Sequence, residues 1–242
     1  MQAKKIWAMY WSATGTTRTV VTAVAGKMAG RLGLPLEEYD FTLPAARQGA
    51  PEFGPEDVVV FGTPTYAGRV PNVLLKYLAT VKGNGAAAVP VVTFGNRAFD
   101  DSLIELRDIL ADNGFRPFAA AAFACEHSFS DTLAAGRPDA DDLALAAQFA
   151  EQAAARVPAL DADTPVIEVP GRAKADRDYY QPRDRAGNSI DIRKVKPKTN
   201  DQCDNCGICA AVCPMGSIDP QDVRQFTGIC IKCGACIKKC PR

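Results

Sequence analysis

Apolar runs alternate with amphipathic stretches through the first 156 residues. KKIWAMYW (4–11), DVVVFGTP (57–64), AVPVVTFG (88–95) and FAAAAFAC (118–125) are nearly continuous apolar runs, and they predict buried strands. LPLEEYDF (34–41) predicts a weaker one. Helical spacing predicts helices over 16–32, 71–82, 101–113 and 139–156. The last opens at RPDADDL, with Asp139 a candidate cap and acids in the first turn. Strands that alternate with helices predict parallel βαβ units and an α/β, doubly wound sheet.

The pattern fails after residue 156. Residues 157–200 carry prolines at 158, 165, 170, 182 and 197 and many charges, with poor periodicity. They read as a linker ordered, if at all, by lying against the first domain. The basic run RKVKPK (193–198) reads as a solvated segment, with an acidic docking partner as the sharper alternative. Residues 201–242 hold an internal repeat. Cys203, Cys206, Cys209 and Cys213 recur as Cys230, Cys233, Cys236 and Cys240, and Gly207 and Pro214 recur as Gly234 and Pro241. The expected division is therefore 1–156, a linker over 157–200, and a small domain over 201–242.

Composition narrows the function classes. The chain has 28 basic and 28 acidic residues, which argues against nucleic acid as a partner. No apolar stretch approaches the ~18 residues of a membrane span. The start, MQAKKIWAMYWSATG, lacks the apolar core and cleavage site of a signal peptide, so a cytoplasmic, reducing location is expected. Nine cysteines in such a setting point to metal or redox chemistry, and eight of them lie beyond residue 200.

Thiolates are soft ligands that suit zinc or iron–sulfur clusters. Four-cysteine zinc sites usually pair two CxxC knuckles across a longer loop. CDNCGICAAVCP (203–214) instead brings three cysteines at spacings of three, then a fourth followed by proline. That run, present twice, resembles the bacterial two-cluster ferredoxins, in which the fourth cysteine of each run serves the other cluster. The resemblance implies a small α+β domain with two [4Fe-4S] clusters. One would take Cys203, Cys206, Cys209 and Cys240; the other, Cys230, Cys233, Cys236 and Cys213.

The first strand ends in YWSATGTTRTV, a hydroxyl-rich loop that opens a helix and so forms an anion site from free N–H groups and the helix dipole. No GK[ST] or GxGxxG pattern accompanies it. The loop resembles the flavodoxin signature, and two later loops, GTPTYAGRVP (62–71) and TFGNRAFDDSL (93–103), resemble the second and third flavin loops. This implies a flavodoxin-like five-stranded sheet of order 2-1-3-4-5 that binds FMN at the carboxyl ends of its strands. The residues implied to bind are Ser12, Ala13, Thr14, Gly15, Thr16 and Thr17; Pro64, Thr65, Tyr66, Ala67 and Gly68; and Phe94, Gly95, Asn96, Arg97 and Phe99. Tyr66 would stack on the ring, and Trp11 could edge it, whereas Trp7 reads as core. Arg97 reads either as a flavin neighbour or as a solvated charge, Asp100 and Asp101 as helix-start acids or as ribityl or ring contacts, and Cys125 as a small buried hydrophobe rather than a redox thiol. His127, the sole histidine, has two readings, structural residue or proton donor to the reduced flavin.

The whole chain resembles the flavodoxin–ferredoxin fusions of anaerobes. That resemblance implies a low-potential electron-transfer protein that passes electrons between two clusters and FMN. Its partners would be a donor and an acceptor protein, and a homodimer is compatible with it. The alternative is an FMN-dependent reductase of a small substrate, fed through the clusters.

Overall fold

The computed structural model describes residues 1–192 and 195–242, so the first two residues of the basic run lie outside the described residues. The sheet is built from β1 (Lys5–Tyr10), β2 (Leu36–Asp40), β3 (Asp57–Pro64) and β4 (Ala87–Phe94), and its fifth position is shared by β5 (Arg116–Pro117) and β6 (Ala121–Ala124). The order is β2-β1-β3-β4-β5, β6 also pairs with β4, and every pairing is parallel. This is the flavodoxin-like order 2-1-3-4-5 that the resemblance implied.

The fifth strand is broken where one continuous run was expected. Ala88 pairs with Pro117 and Val91 with Ala121, so the outer strand spends one residue more than β4 over the same stretch. The slack lets Phe118 sink into the core, 1% exposed.

Apolar side chains on the two sheet faces build two cores. Val20, Val24 and Met28 of α1 (Thr16–Leu32) and Ala146, Ala150 and Ala153 of α4 (Ala140–Arg156) cover one face. The opposite core gathers Met9 of β1, Phe61 of β3, Leu106 of α3 (Ser102–Asp112), Leu74 of the turn that precedes the short α2 (Leu75–Leu78), and Trp11 and Phe41 just beyond β1 and β2. β3 and β4 are buried almost throughout, as their unbroken apolar runs require, while β2 is a largely exposed edge.

α4 starts as expected. Asp139 accepts from the Asp142 N–H, and Asp142 accepts from the Asp139 N–H, a capping box. The helix expected over 71–82 is shorter, a 3-10 turn at Asn72–Leu74 followed by α2. At its end the Thr80 hydroxyl and N–H both go to the Tyr77 carbonyl, which closes the helix with a local side-chain bond.

Proline-rich residues 157–180 cross α3 on charged side chains. Arg172 binds Asp101, Lys174 binds Asp112 and the buried Arg177 binds Asp108. The final segment holds two one-turn helices, α5 (Ile208–Ala211) and α6 (Ala235–Lys238), packed on each other. The cysteine repeat is also a backbone repeat. Asn205 and Lys232 have φ of 57° and 61°, and the helix-capping Gly207 and Gly234 have 78° and 77°. Among the described residues, no helix is long and apolar enough to cross a membrane.

Candidate functional site

The three predicted loops meet at the carboxyl ends of β1, β3 and β4. In the first, Gly15 takes φ 104°, which turns the chain into α1. Ser12 Oγ accepts the Arg18 N–H at 3.0 Å, and its own N–H donates to Thr42 Oγ1. Thr17 is buried with its hydroxyl 2.7 Å from that of Thr93, and the Thr16 hydroxyl bonds the Cys125 thiol. Three of the four predicted hydroxyls therefore shape the loop, and Thr14 is the one left half-exposed at its tip. The chemistry open to a ligand here is the row of backbone N–H groups at the α1 N-terminus.

The second loop is a two-residue hairpin. Tyr66 and Arg69 exchange both backbone hydrogen bonds, while Ala67 and Gly68 between them have φ of 51° and 80°. Two successive positive φ angles are what a type I′ turn demands, and an alanine held there is strained. The strain is locked from outside. Glu105 on α3, only 5% exposed, takes Arg69 Nε at 3.0 Å, Arg69 Nη2 at 2.5 Å and the Val70 N–H at 2.9 Å. Arg69 also donates to the Arg177 carbonyl and lies over the Tyr179 ring at 4.7 Å. The Tyr180 N–H donates to the Ala67 carbonyl. The sequence reading missed Glu105, Tyr179 and Tyr180. A glutamate inside the apolar stripe LIELRDIL was the available signal for the first.

In the third loop Asn96 has φ 62°, and Gly95 stands against the His127 ring, so close that a side chain at 95 would collide with it. Arg97 pairs with Asp100 and lies over Tyr180 at 5.7 Å. Asp101, 4% exposed, is bound by the Arg172 N–H and guanidinium, and so anchors the linker. His127 Nδ1 accepts the Phe129 N–H at 3.1 Å, so a neutral ring carries its proton on Nε2. Trp11 is fully buried, its indole N–H has no partner among the described residues, and its ring meets Tyr66 edge-on at 5.7 Å. An orphaned buried donor beside three convergent loops fits a polar planar ligand such as a flavin ring. Trp7 is not wholly core, since its Nε1 donates to Asp57 at the half-exposed sheet edge. Cys125 is 2% exposed, and burial pushes its thiol up to about 12, a hydrophobe's environment.

Four of the thiols share one cavity, and Cys209 is an electrostatic neighbour of one of them, Cys236. Cys213, Cys230, Cys233 and Cys236 line one cavity of about 60 Å³, with Ile218, Phe226 and Ile231 among its apolar walls. Burial, then the neighbouring thiols, push Cys233 and Cys236 up to about 11, an environment that disfavours bare thiolates and fits a thiolate-binding cluster that neutralises them. Cys203 and Cys206 are electrostatic neighbours of Cys209. The Asp204–Arg242 pair draws the last residues back to them, with Arg242 feeling both Cys206 and Cys240.

The two halves meet at this point. Cys233, Ala235 and Ile231 belong to the same apolar cluster as Trp11, Tyr66 and Val70. Burial, and secondarily Cys233, hold the Tyr66 phenol well above its ordinary range. Gly234 stands against the Ser128 carbonyl. Lys238 reaches Glu126 at 2.8 Å, Asp131 at 2.9 Å and the Ser130 carbonyl at 2.9 Å, while Arg47 donates to the Pro214 carbonyl at 2.6 Å. A separate open cleft of about 860 Å³ lies between residues 47–53 and α2. No sequence motif falls in it.

Residues 201–242 match the family described as the 4Fe-4S dicluster domain. Among curated proteins, the sequence has no match. Solved structures similar to the chain include a flavodoxin from the domain Archaea, at 12% identity and TM-score 0.47, covering 64% of this chain and 99% of that one. Flavodoxin 1 from Bacillus cereus gives 15% and 0.45, covering 65% and 100%, and the apo form of an NADH:FMN oxidoreductase gives 18% and 0.46, covering 66% and 92%.

Proposed function

We propose that the chain is an electron-transfer protein in which FMN, held by the three loops, and two [4Fe-4S] clusters, held by the two thiol sets, form one internal relay. The observation that carries this reading is the seating of Cys213, Cys230, Cys233 and Cys236 around one cavity, with Cys233 packed in the same apolar cluster as Tyr66. When bound, the flavin supplies a two-electron store divisible into single steps, and each cluster supplies a one-electron store.

The chain's own residues do the rest. The α1 N-terminus offers N–H groups to a phosphate. The Tyr66–Arg69 turn, fixed by Glu105, sets the height of Tyr66. The Trp11 N–H, buried without a protein partner among the described residues, is the donor proposed for a ring acceptor. Residues 1–156 form the flavin domain in this reading, and residues 157–200 strap it to the cluster domain of residues 201–242. Arg97, bound to Asp100 and Tyr180, contributes at the rim. His127, with its Nε2–H free of protein partners among the described residues, is the proposed proton donor at the loop edge.

The role proposed for this relay is low-potential exchange with a donor and an acceptor protein. The rival is a reductase of a small substrate; the packing of the cluster segment beside Tyr66 favours the relay, because it brings a thiol set next to the loops.

The test is anaerobic purification followed by cofactor analysis. The expected outcome is one FMN per chain and the iron and sulfide that two [4Fe-4S] clusters require. Zinc in place of iron, or a chain that binds no flavin, refutes the reading. For His127, flavin potentials of a His127→Ala variant that match wild type from pH 5 to 8 remove its role.

A further inference from the structure

Among the described residues, Lys238 is the cation of the C-terminal segment that reaches two carboxylates and a carbonyl of the first 156 residues. Its ammonium is bound by Glu126, Asp131 and the Ser130 carbonyl, all within 2.9 Å, and its side chain is 20% exposed. It sits on α6, one turn from Gly234, where a side chain would stand 2.9 Å from the Ser128 carbonyl. Ser128 in turn follows His127, which packs on Gly95 of the third loop. One short stretch, residues 126–131, is therefore held between the third loop and the segment that carries Cys233 and Cys236. The other thiol set differs. Cys206 and Cys240 are exposed, whereas Cys233 is 9% exposed and no member of its set is exposed to the same degree as those two.

We propose that Lys238 is a positioning residue that clasps the Cys213, Cys230, Cys233 and Cys236 set against residues 126–131 and Tyr66, which makes this the inner of two stations. The set of Cys203, Cys206, Cys209 and Cys240 is the outer station and faces one-electron redox proteins. This rests on the cofactor assignment above. In each exchange with such a protein one electron passes, the partner gaining or losing what the chain loses or gains, and no covalent bond or proton changes hands at the thiols. The clasp works by keeping the inner set at high local concentration beside the loops.

The experiment uses the full chain loaded with its cofactors. Wild type, Lys238→Ala, Lys238→Arg and the double variant Glu126→Gln/Asp131→Asn are compared. Amide hydrogen exchange is read over residues 123–133. After a light pulse has delivered electrons to the chain, their redistribution between iron–sulfur and flavin absorbance is timed. The alanine variant and, independently, the double variant are expected to lose protection at 126–131. Both are expected to slow redistribution severalfold with iron and flavin content unchanged, and Lys238→Arg to restore both readouts. Loaded variants with wild-type exchange and redistribution overturn the proposal alone. So does a Lys238→Ala chain that loses its iron, since Lys238 would then be serving the cluster itself. A wild-type chain without iron or flavin overturns it together with the assignment on which it rests.

Discussion

Replacing Glu105 with alanine should be among the costliest single changes near the loops. The carboxylate is 6% exposed and makes two bonds to Arg69 and one to the Val70 N–H. Removing it strands a guanidinium whose side chain is 16% exposed, together with a buried backbone donor. Breaking a buried pair from one side costs about 3–5 kcal/mol. Arg69 keeps the Arg177 carbonyl and the Tyr179 face, so the low end applies, about 3 kcal/mol. For a chain of this size that corresponds to roughly 6–12 °C in melting temperature. Urea unfolding followed by tryptophan fluorescence reads it directly, because the buried Trp11 touches Tyr66 at the head of the same turn. The double variant Arg69→Ala/Glu105→Ala should be less unstable than the two single losses added, by roughly 1–3 kcal/mol. A Glu105→Ala chain within about 1 kcal/mol of wild type, or additive losses, would refute the argument that this pair is buried and coupled.

Gly207→Ala and Gly234→Ala should differ although both glycines have nearly the same φ. Each alanine costs roughly 1–2 kcal/mol of backbone strain. A side chain at 207 meets nothing within 4 Å, but one at 234 would stand 2.9 Å from the Ser128 carbonyl, so only Gly234→Ala should also raise hydrogen exchange at 126–131. Removing Cys240, Pro241 and Arg242 should deplete the iron held by Cys203, Cys206 and Cys209; full iron content in that truncation contradicts the exchanged ligand sets. Burial opposes the Asp101 charge, but the Arg172 N–H and guanidinium more than offset it, so its carboxyl is held below 3.8. Its contribution is therefore present above the unfolded value and lost as pH falls through the lower folded one. The stability gap between wild type and Asp101→Asn should be full at pH 7 and shrink in strong acid, and a gap independent of pH would contradict it.

Much of this was legible in one dimension. The unbroken apolar runs at 57–64 and 88–95 could only be strands covered on both sides, and the alternation of strands with helices required parallel pairing. The box at Asp139 and Asp142 is local, and so it too was readable in the sequence. The cysteine spacing, with its repeat, carried the chemistry of the thiols. Which thiols share a cavity was implied only by resemblance, because Cys213 and Cys230 are brought together by folding and not by spacing.

What escaped the sequence was long-range pairing. The hydroxyls at 16 and 17 meet partners far along the chain, Cys125 and Thr93. Asp101 read as a helix-start acid and does stand at the start of α3, but its carboxylate binds Arg172, 71 residues away. Periodicity reports which face of an element is apolar, and local motifs report turns and caps, since both depend on neighbours along the chain. The partners of Glu105, Lys238 and Tyr66 lie in other elements, and which charge meets which is settled when those surfaces lose their water together. The sequence by itself therefore determined the strands, their parallel pairing and the clustering of the thiols, while the strand order was implied by resemblance. Only the tertiary structure decided that the thiol segment packs against those loops, and by which side chains.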